Sequence, residues 1–243
     1  MKKLFFFISF FIVLILTACG DSSNPIESVS ENNDTEAKSS SFAKSSSSSE
    51  KISSSSVSLS SSSGLAKKTF TDPRDKQIYK TVVIGSQTWM AQNLNYATEN
   101  SYCYNDNADN CSKYGRLYTW AAAMGACPSG WHLPTRSEFE MLFSSVGGQS
   151  TAGKMLKSTS GWKCGGDGLD AYSFSALPVG FIYNYGGGSY YEGDYIGFWS
   201  SNEIYIDGRF DHAYLMSLYY YYDNALLDYD RKTNALSVRC VKD

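Results

Sequence analysis

Histidine is scarce: among 243 residues there are only His132 and His212. Chemistry that needs several imidazoles, in catalysis or at a metal, is thereby excluded. No Cys-x-x-Cys pair occurs, which removes the usual spacing of a structural zinc site and of a thioredoxin-type redox motif. No Gly-x-Ser-x-Gly nucleophile elbow occurs either. Basic residues are not in excess, since 21 Lys and Arg stand against 24 Asp and Glu for a formal charge of −3. Beyond residue 68 the balance is about 14 basic to 18 acidic side chains, so no nucleic-acid footprint is expected. Aromatic residues, by contrast, are abundant and lie mostly on one side of that boundary. All 19 Tyr and all 5 Trp follow residue 68, far more than a disordered tail would carry.

The composition divides the chain into three segments: 1–18, 19–68 and 69–243. Met1-Lys2-Lys3 gives a positive start, and residues 4–16 form an apolar run interrupted only by Ser9. That run is too short to span a bilayer comfortably, and it reads as a signal peptide. It ends in Leu16-Thr17-Ala18-Cys19-Gly20, which resembles a bacterial lipoprotein lipobox. The resemblance implies cleavage before Cys19, a diacylglycerol thioether on its sulfur and a further acyl chain, such as palmitate, on its amine. Several acyl chains, at about 0.8 kcal/mol per buried CH₂, anchor a protein to a membrane durably where one does not.

Residues 19–68 hold 21 Ser, in runs such as 45–49 and 53–56, with no hydrophobic period. Such a segment cannot offset its ordering entropy and reads as a disordered tether. A flexible coil of this length has an r.m.s. span of roughly 35–42 Å, which would hold a domain clear of a headgroup or saccharide layer. The expected location is the bacterial cell envelope, at the outer membrane or cell surface.

Residues 69–243 are long enough for one sizeable core. A β-branched run over 77–84 is closed by Gly85-Ser86-Gln87 and followed by Thr88-Trp89-Met90-Ala91, which predicts a hairpin. Residues 115–124 predict a short helix. Thr135 with Glu138 forms a capping box ahead of Phe139, Leu142, Phe143 and Val146, and that helix should stop at Gly147-Gly148. One or two helical turns are expected over 150–158. From Phe174 onward, Gly-broken runs at 175–183, 195–201, 213–222, 224–230 and 236–241 predict strands. The fold class is α+β, with short helices early and an antiparallel sheet late.

Five cysteines remain once Cys19 is set aside. An oxidising compartment favours a local staple between Cys103 and Cys111, and a long-range bond between Cys127 and Cys240. Cys164 is then left over as a free thiol. Other pairings satisfy the same count.

Several stretches occur in a fixed order: Tyr79-x-x-Val82-x-Ile84-Gly85-x-Gln87-x-Trp89-Met90-Ala91-x-Asn93-Leu94, Tyr114-Gly115-Arg116-Leu117-Tyr118-Thr119-Trp120, and Cys127-Pro128-x-Gly130-Trp131-His132-Leu133-Pro134-Thr135. They are followed by Phe174-Ser175-Ala176-Leu177-Pro178, Phe198-Trp199-Ser200-Ser201 and Ser237-Val238-Arg239-Cys240-Val241. This set resembles the Fibrobacter succinogenes major paralogous domain. The Leu-Pro-Thr-x-x-Glu helix start and the Arg-Cys ending are also similar to sulfatase-modifying and C-type-lectin-like folds. These resemblances imply a single irregular, loop-rich α+β domain whose termini meet. A sulfatase-modifying enzyme of the formylglycine-generating type would need paired active-site cysteines in the late loops, and none lies between Trp199 and Cys240.

No catalytic residue is assigned. Ser201, His212 and Asp211 or Asp207 could be combined on paper into a hydrolase triad, but nothing in the sequence brings them together. His132, in a Gly-Trp-His-Leu-Pro turn, is expected to serve as a hydrogen-bonded structural residue. No cofactor is expected. Calcium is the one ion with hard oxygen donors to hand, in Asn105-Asp106-Asn107-Ala108-Asp109-Asn110. Gly165-Gly166-Asp167-Gly168-Leu169-Asp170 gives a single copy of a calcium turn that works by stacking with its neighbours. The Glu-Pro-Asn, Gln-Pro-Asp and Trp-Asn-Asp triplets of calcium-dependent sugar lectins do not occur.

The stretch over 181–195 alternates Tyr with Gly. Its Tyr183, Tyr185, Tyr190, Tyr191 and Tyr195 offer broad apolar faces with polar tips. Sugar rings have matching faces, and Asn184, Glu192 and Asp194 could bond their hydroxyls. A second group, Tyr219, Tyr220, Tyr221 and Tyr222, is expected to alternate between inward and exposed positions. Trp89, Trp120 and Trp199 are expected in the core. The function expected is a non-catalytic binding domain, presented by a lipid anchor, for polysaccharide or another envelope component. The alternatives are a structural envelope protein with no small ligand and, more remotely, an enzyme.

Overall fold

The computed structural model describes residues 68–184 and 187–243. The expected signal peptide, Cys19 and all but the last residue of the expected tether lie outside the described residues.

In chain order the strands are β1 (Lys68–Thr71), β2 (Ile78–Ile84), β3 (Gln87–Met90), β4 (Ser101–Tyr102), β5 (Leu117–Thr119), β6 (Trp131–His132) and β7 (Phe181–Ile182). There follow β8 (Ser189–Tyr190), β9 (Tyr195–Ile206), β10 (Arg209–Tyr219), β11 (Leu226–Arg231), β12 (Ala235–Ser237) and β13 (Val241–Lys242). The α-helices are α1 (Ala108–Tyr114), α2 (Trp120–Met124), α3 (Arg136–Ser145) and α4 (Gln149–Leu156). One sheet runs β1-β2-β3-β13-β6; the other runs β11-β10-β9-β12-β5-β4, with β7 and β8 attached beside β12. All strand pairings are antiparallel except β12 with β9. The fold is α+β, and the first and last described strands share a sheet.

The expected hairpin is β2–β3, in register at Val82 and Trp89. The capping box is also present. Thr135 Oγ1 accepts the Glu138 amide at 3.2 Å, and Glu138 Oε2 accepts the Thr135 amide at 2.7 Å. Two orphan amides at the start of α3 are satisfied in this way.

Four expectations need correction. Residues 115–124 are not one helix: Leu117, Tyr118 and Thr119 form β5, pairing β12 on one side and β4 on the other. All three are buried, and a short run buried on both faces has no period to separate strand from helix. The strand expected over 175–183 shrinks to β7. Pro178 cannot donate to a ladder, while Ser175 and Gly180 adopt φ of 54° and 75°. The run at 236–241 splits between the two sheets. Finally, α1 is a helix where none was expected; Asn107 caps it by accepting the Asp109 amide at 2.9 Å.

Strand β9 divides the core. Its alternation sends Ile196 and Phe198 into one cluster, with Trp89, Phe139 and Phe174, and sends Tyr195 and Trp199 into another, with Tyr79, Tyr118 and Leu236. The expected core positions of Trp89 and Trp199 are confirmed, whereas Trp120 is only half-buried. Arg239 is buried and has no salt bridge among the described residues. Its Nε donates to Asn93 Oδ1 at 3.1 Å, its Nη1 donates to the carbonyls of Met90 and Phe174, and the guanidinium lies 4.4 Å from the Phe174 ring centroid. Burial pulls its pKa down to about 9.

Both expected disulfides are present, Cys103–Cys111 and Cys127–Cys240. The second closes a separation of 113 residues and ties the loop after α2 to the start of β13. Cys164 is not a free thiol, which corrects that expectation.

Candidate functional site

A cleft of about 330 Å³ opens where β9, β10 and β11 meet the loop after β8. Its floor is built by strand pairing. Tyr195 and Tyr219 are direct partners across β9 and β10, and Leu215 of β10 is the partner of Asp228 on β11. Residues 228 and 230 are two apart on a strand and so point to the same side, which puts both carboxylates along one wall. Ser217 shares a face of β10 with Leu215 and Tyr219; it is buried, and its hydroxyl has no partner among the described residues. Gly197 leaves room for the Tyr195 ring, since a Cβ there would run into Tyr195 Oη and Leu236.

The remaining walls are aromatic rings in mutual contact. Phe181 stacks on Tyr191 with centroids 5.8 Å apart and 16° between planes, and it meets Tyr195 edge-on at 6.0 Å. Tyr195 lies 5.0 Å from Tyr219, and Tyr219 lies 5.6 Å from Tyr221. Tyr190 extends the row from Phe181 at 6.1 Å, and Tyr222 extends it from Tyr221 at 4.3 Å. Tyr191 and Tyr221 are 58% and 56% exposed, so the row reaches solvent on either side of the buried Tyr195. Tyr229, at the cleft's edge, packs edge-on against His212.

The backbone holds these rings in place. Tyr191 has φ of 67°, a left-handed conformation that is rare for a bulky residue and costs of order 1–2 kcal/mol. Gly180 sits so close to the Tyr190 carbonyl that any Cβ would collide with it. The loop is then anchored from outside: Tyr114 Oη donates to Glu192 Oε1 at 2.7 Å, and Lys163 Nζ donates to Asp194 Oδ2 at 2.9 Å. The polar residues that the sequence offered to a ligand, Glu192 and Asp194, therefore secure the loop. Asn184 does the same through its amide, which donates to Asn234 Oδ1 at 2.9 Å.

The turn over 219–222 is clamped by Lys157. That side chain is buried, and its ammonium donates to the carbonyls of Tyr219, Tyr220 and Tyr222 at 3.2, 3.4 and 3.0 Å. Burial lowers its pKa. Because β10 ends at Tyr219, the expected alternation stops there: Tyr219 and Tyr220 are half-buried, and Tyr221 and Tyr222 are exposed. Burial pushes the Tyr219 hydroxyl up to about 12, with Asp228 adding to the shift, and raises Tyr195 still more clearly.

Of the five tyrosines expected to bind, Tyr191 and Tyr195 line the cleft. Tyr190 stands next to it on Phe181, and Tyr195 is buried as its floor rather than exposed as a contact surface. Tyr183 is exposed but does not line the cleft, and Tyr185 lies outside the described residues. Asp228, Tyr229 and Asp230 were missed. The one available signal was alternation, which puts residues 228 and 230 of a strand on a common face; which face that is depends on the pairing of β11 with β10.

The other candidates are placed elsewhere. His132 Nδ1 is 2.6 Å from Asp243 Oδ1, and its Nε2 is 2.8 Å from Glu138 Oε1, as its structural reading required. His212 Nδ1 is 2.7 Å from Asp211 Oδ1, while the Ser201 amide donates to the Pro134 carbonyl at 2.8 Å. In the Asn- and Asp-rich loop, Asn107 caps α1 and Asn110 donates to the Tyr104 carbonyl. Among the described residues no group of three or more His, Cys, Asp and Glu could hold a metal ion. A second depression, of about 850 Å³, lies between β2–β3, α1 and the loop over 170–177. The buried Arg239 beneath it spends its donors on Asn93 and on backbone carbonyls.

The family model described as the Fibrobacter succinogenes major domain matches residues 82–242. No curated protein and no solved structure matches the chain.

Proposed function

The chain belongs to the Fibrobacter succinogenes major domain family, and on that premise we propose that it is a lipid-anchored envelope protein whose aromatic cleft binds polysaccharide without catalysis. The observation that carries the reading is the unbroken row of rings from Tyr190 through Phe181, Tyr195 and Tyr219 to Tyr222. Apolar ring faces beside accepting carboxylates match the faces and hydroxyls of a sugar chain. Because the rings are already in contact and clamped, little ordering entropy is lost on binding.

Anchoring and location rest on the sequence of residues 1–19, with the disulfides as support, since such bonds persist in oxidising compartments. The proposed acyl group on Cys19 and the serine-rich tether would present the cleft away from the membrane. The test is depletion of the full chain, in detergent, by insoluble polysaccharides and purified cell-wall material, with and without EDTA. Saturable retention that EDTA leaves unchanged supports an aromatic site. Loss in EDTA moves the site to a calcium loop, and no retention on any material favours a structural envelope protein.

A further inference from the structure

The cleft is more selective than a general sugar platform, because its lining, Leu215 apart, is aromatic or acidic. Phe181, Tyr191, Tyr195, Tyr219 and Tyr221 line it with aromatic rings, and ring faces carry negative electrostatic potential. Asp228 and Asp230 add two carboxylates, and no Lys, Arg or His is among the described lining residues.

Like several other aspartates of the protein, among them Asp75, Asp167 and Asp207, these two lack a salt-bridge partner among the described residues. Asp72, Asp194, Asp211, Asp223 and Asp243 each have a cationic or titratable nitrogen within 4.0 Å. Asp228 Oδ1 accepts only the Tyr229 amide, at 2.8 Å. Asp230 Oδ1 accepts the Arg231 amide at 2.7 Å and Asn234 Nδ2 at 2.8 Å. The Oδ2 atom of each has no bond among the described residues, so two carboxylates with spare acceptor capacity stand beside five rings. A purely neutral ligand would leave this charge uncompensated in a partly desolvated site, whereas a cation would satisfy carboxylates and rings together.

We propose that the cleft takes the protonated amine of an amino sugar in a polysaccharide, with Asp228 and Asp230 receiving its N–H groups and Tyr191, Tyr219 and Tyr221 enclosing it. This rests on the polysaccharide reading and narrows it to glycans with free amino groups. The same charge pattern selects against glycans carrying carboxylate or sulfate.

The test is calorimetric titration of the full chain in detergent at about pH 5.5, where a sugar amine is protonated. The probes are a β-1,4-linked glucosamine hexamer, its fully N-acetylated counterpart, a glucose hexamer and a hexalysine peptide. The free-amine hexamer should bind about tenfold more tightly than either neutral hexamer. That preference should weaken with added salt and vanish in Asp228→Asn/Asp230→Asn, which keeps the shape of both side chains. Equal or tighter binding of the neutral hexamers overturns the inference but leaves the polysaccharide reading standing. Binding of hexalysine with none of the sugars overturns both and places the ammonium on a protein, and binding of no probe also counts against both. Unchanged thermal unfolding of the double Asn variant confirms that it folds.

Discussion

Tyr195 and Tyr219 are direct partners across β9 and β10, with ring centroids 5.0 Å apart. The pair joins the two tyrosine-rich stretches of the sequence, over 181–195 and over 219–222, into one surface. Tyr195 is almost fully buried and sits in the core cluster with Trp199 and Leu215, so this junction belongs to the fold as much as to the cleft.

The floor and the rim of the cleft should therefore respond differently to mutation. Tyr195→Ala removes a buried ring and should cost about 3–5 kcal/mol of stability, like other large aromatic truncations. Tyr191→Gly removes an exposed ring from a left-handed position that glycine adopts without strain. It should leave the thermal midpoint within a few degrees while weakening polysaccharide retention. Thermal unfolding and a depletion assay on both variants check the contrast.

Lys157 should act as the positioning residue of the tyrosine turn. Lys157→Met keeps the volume but leaves the carbonyls of Tyr219, Tyr220 and Tyr222 without their ammonium donor. A loss of roughly 1–3 kcal/mol is expected. The amides of the turn should also exchange faster than those of β2 and β3, measured by hydrogen exchange. Uniform loosening of both regions would show a general rather than a local role.

The Cys127–Cys240 bond closes 113 residues, and in the chain-entropy model such a loop is worth about 5 kcal/mol. Replacing both cysteines by Ala should lower stability by roughly 2–5 kcal/mol in denaturant titrations. Replacing Cys103 and Cys111, only 8 residues apart, should cost less.

His132 gives a pH signature. Burial alone would lower its pKa, but hydrogen bonds to Asp243 and Glu138 together raise it above the ordinary value. A raised folded pKa means that the stabilisation is complete below the unfolded value, near 6.5, and is lost as pH rises through the folded value. The partners are partly exposed, so solvent screening holds the effect to at most about 1 kcal/mol. Denaturation midpoints from pH 5 to 8 should fall for the wild type across this window and lose that slope in His132→Gln.

Local signals were legible in the sequence wherever the physics is local. The Thr135–Glu138 capping box and the β2–β3 hairpin appear where spacing placed them, and of the cysteine pairings left open by the sequence, the two favoured ones are present. Readings failed where distant strands decide the outcome. Leu117, Tyr118 and Thr119 form a strand only because β12 and β4 flank them, and no property of those three residues announces that. The same holds for the site. The tyrosines were visible as composition, but their meeting depends on the β9–β10 register, and the role of Asp228 and Asp230 depends on β11 returning beside it. Lys157 was invisible for a further reason: a lysine in a polar helix end reads as solvated until the turn it clamps is seen above it.

The central claim, that the joined aromatic row is a binding surface, is tested most directly by comparing the wild type with Tyr191→Gly/Tyr221→Ala. Retention of the full chain on insoluble polysaccharide would be measured as a function of concentration, alongside each protein's thermal midpoint. Saturable retention of the wild type, weakened about tenfold or more in the double variant at a similar midpoint, is the predicted result. Equal retention of the two proteins would contradict the account, because the two most exposed rings of the cleft would then contribute nothing to binding.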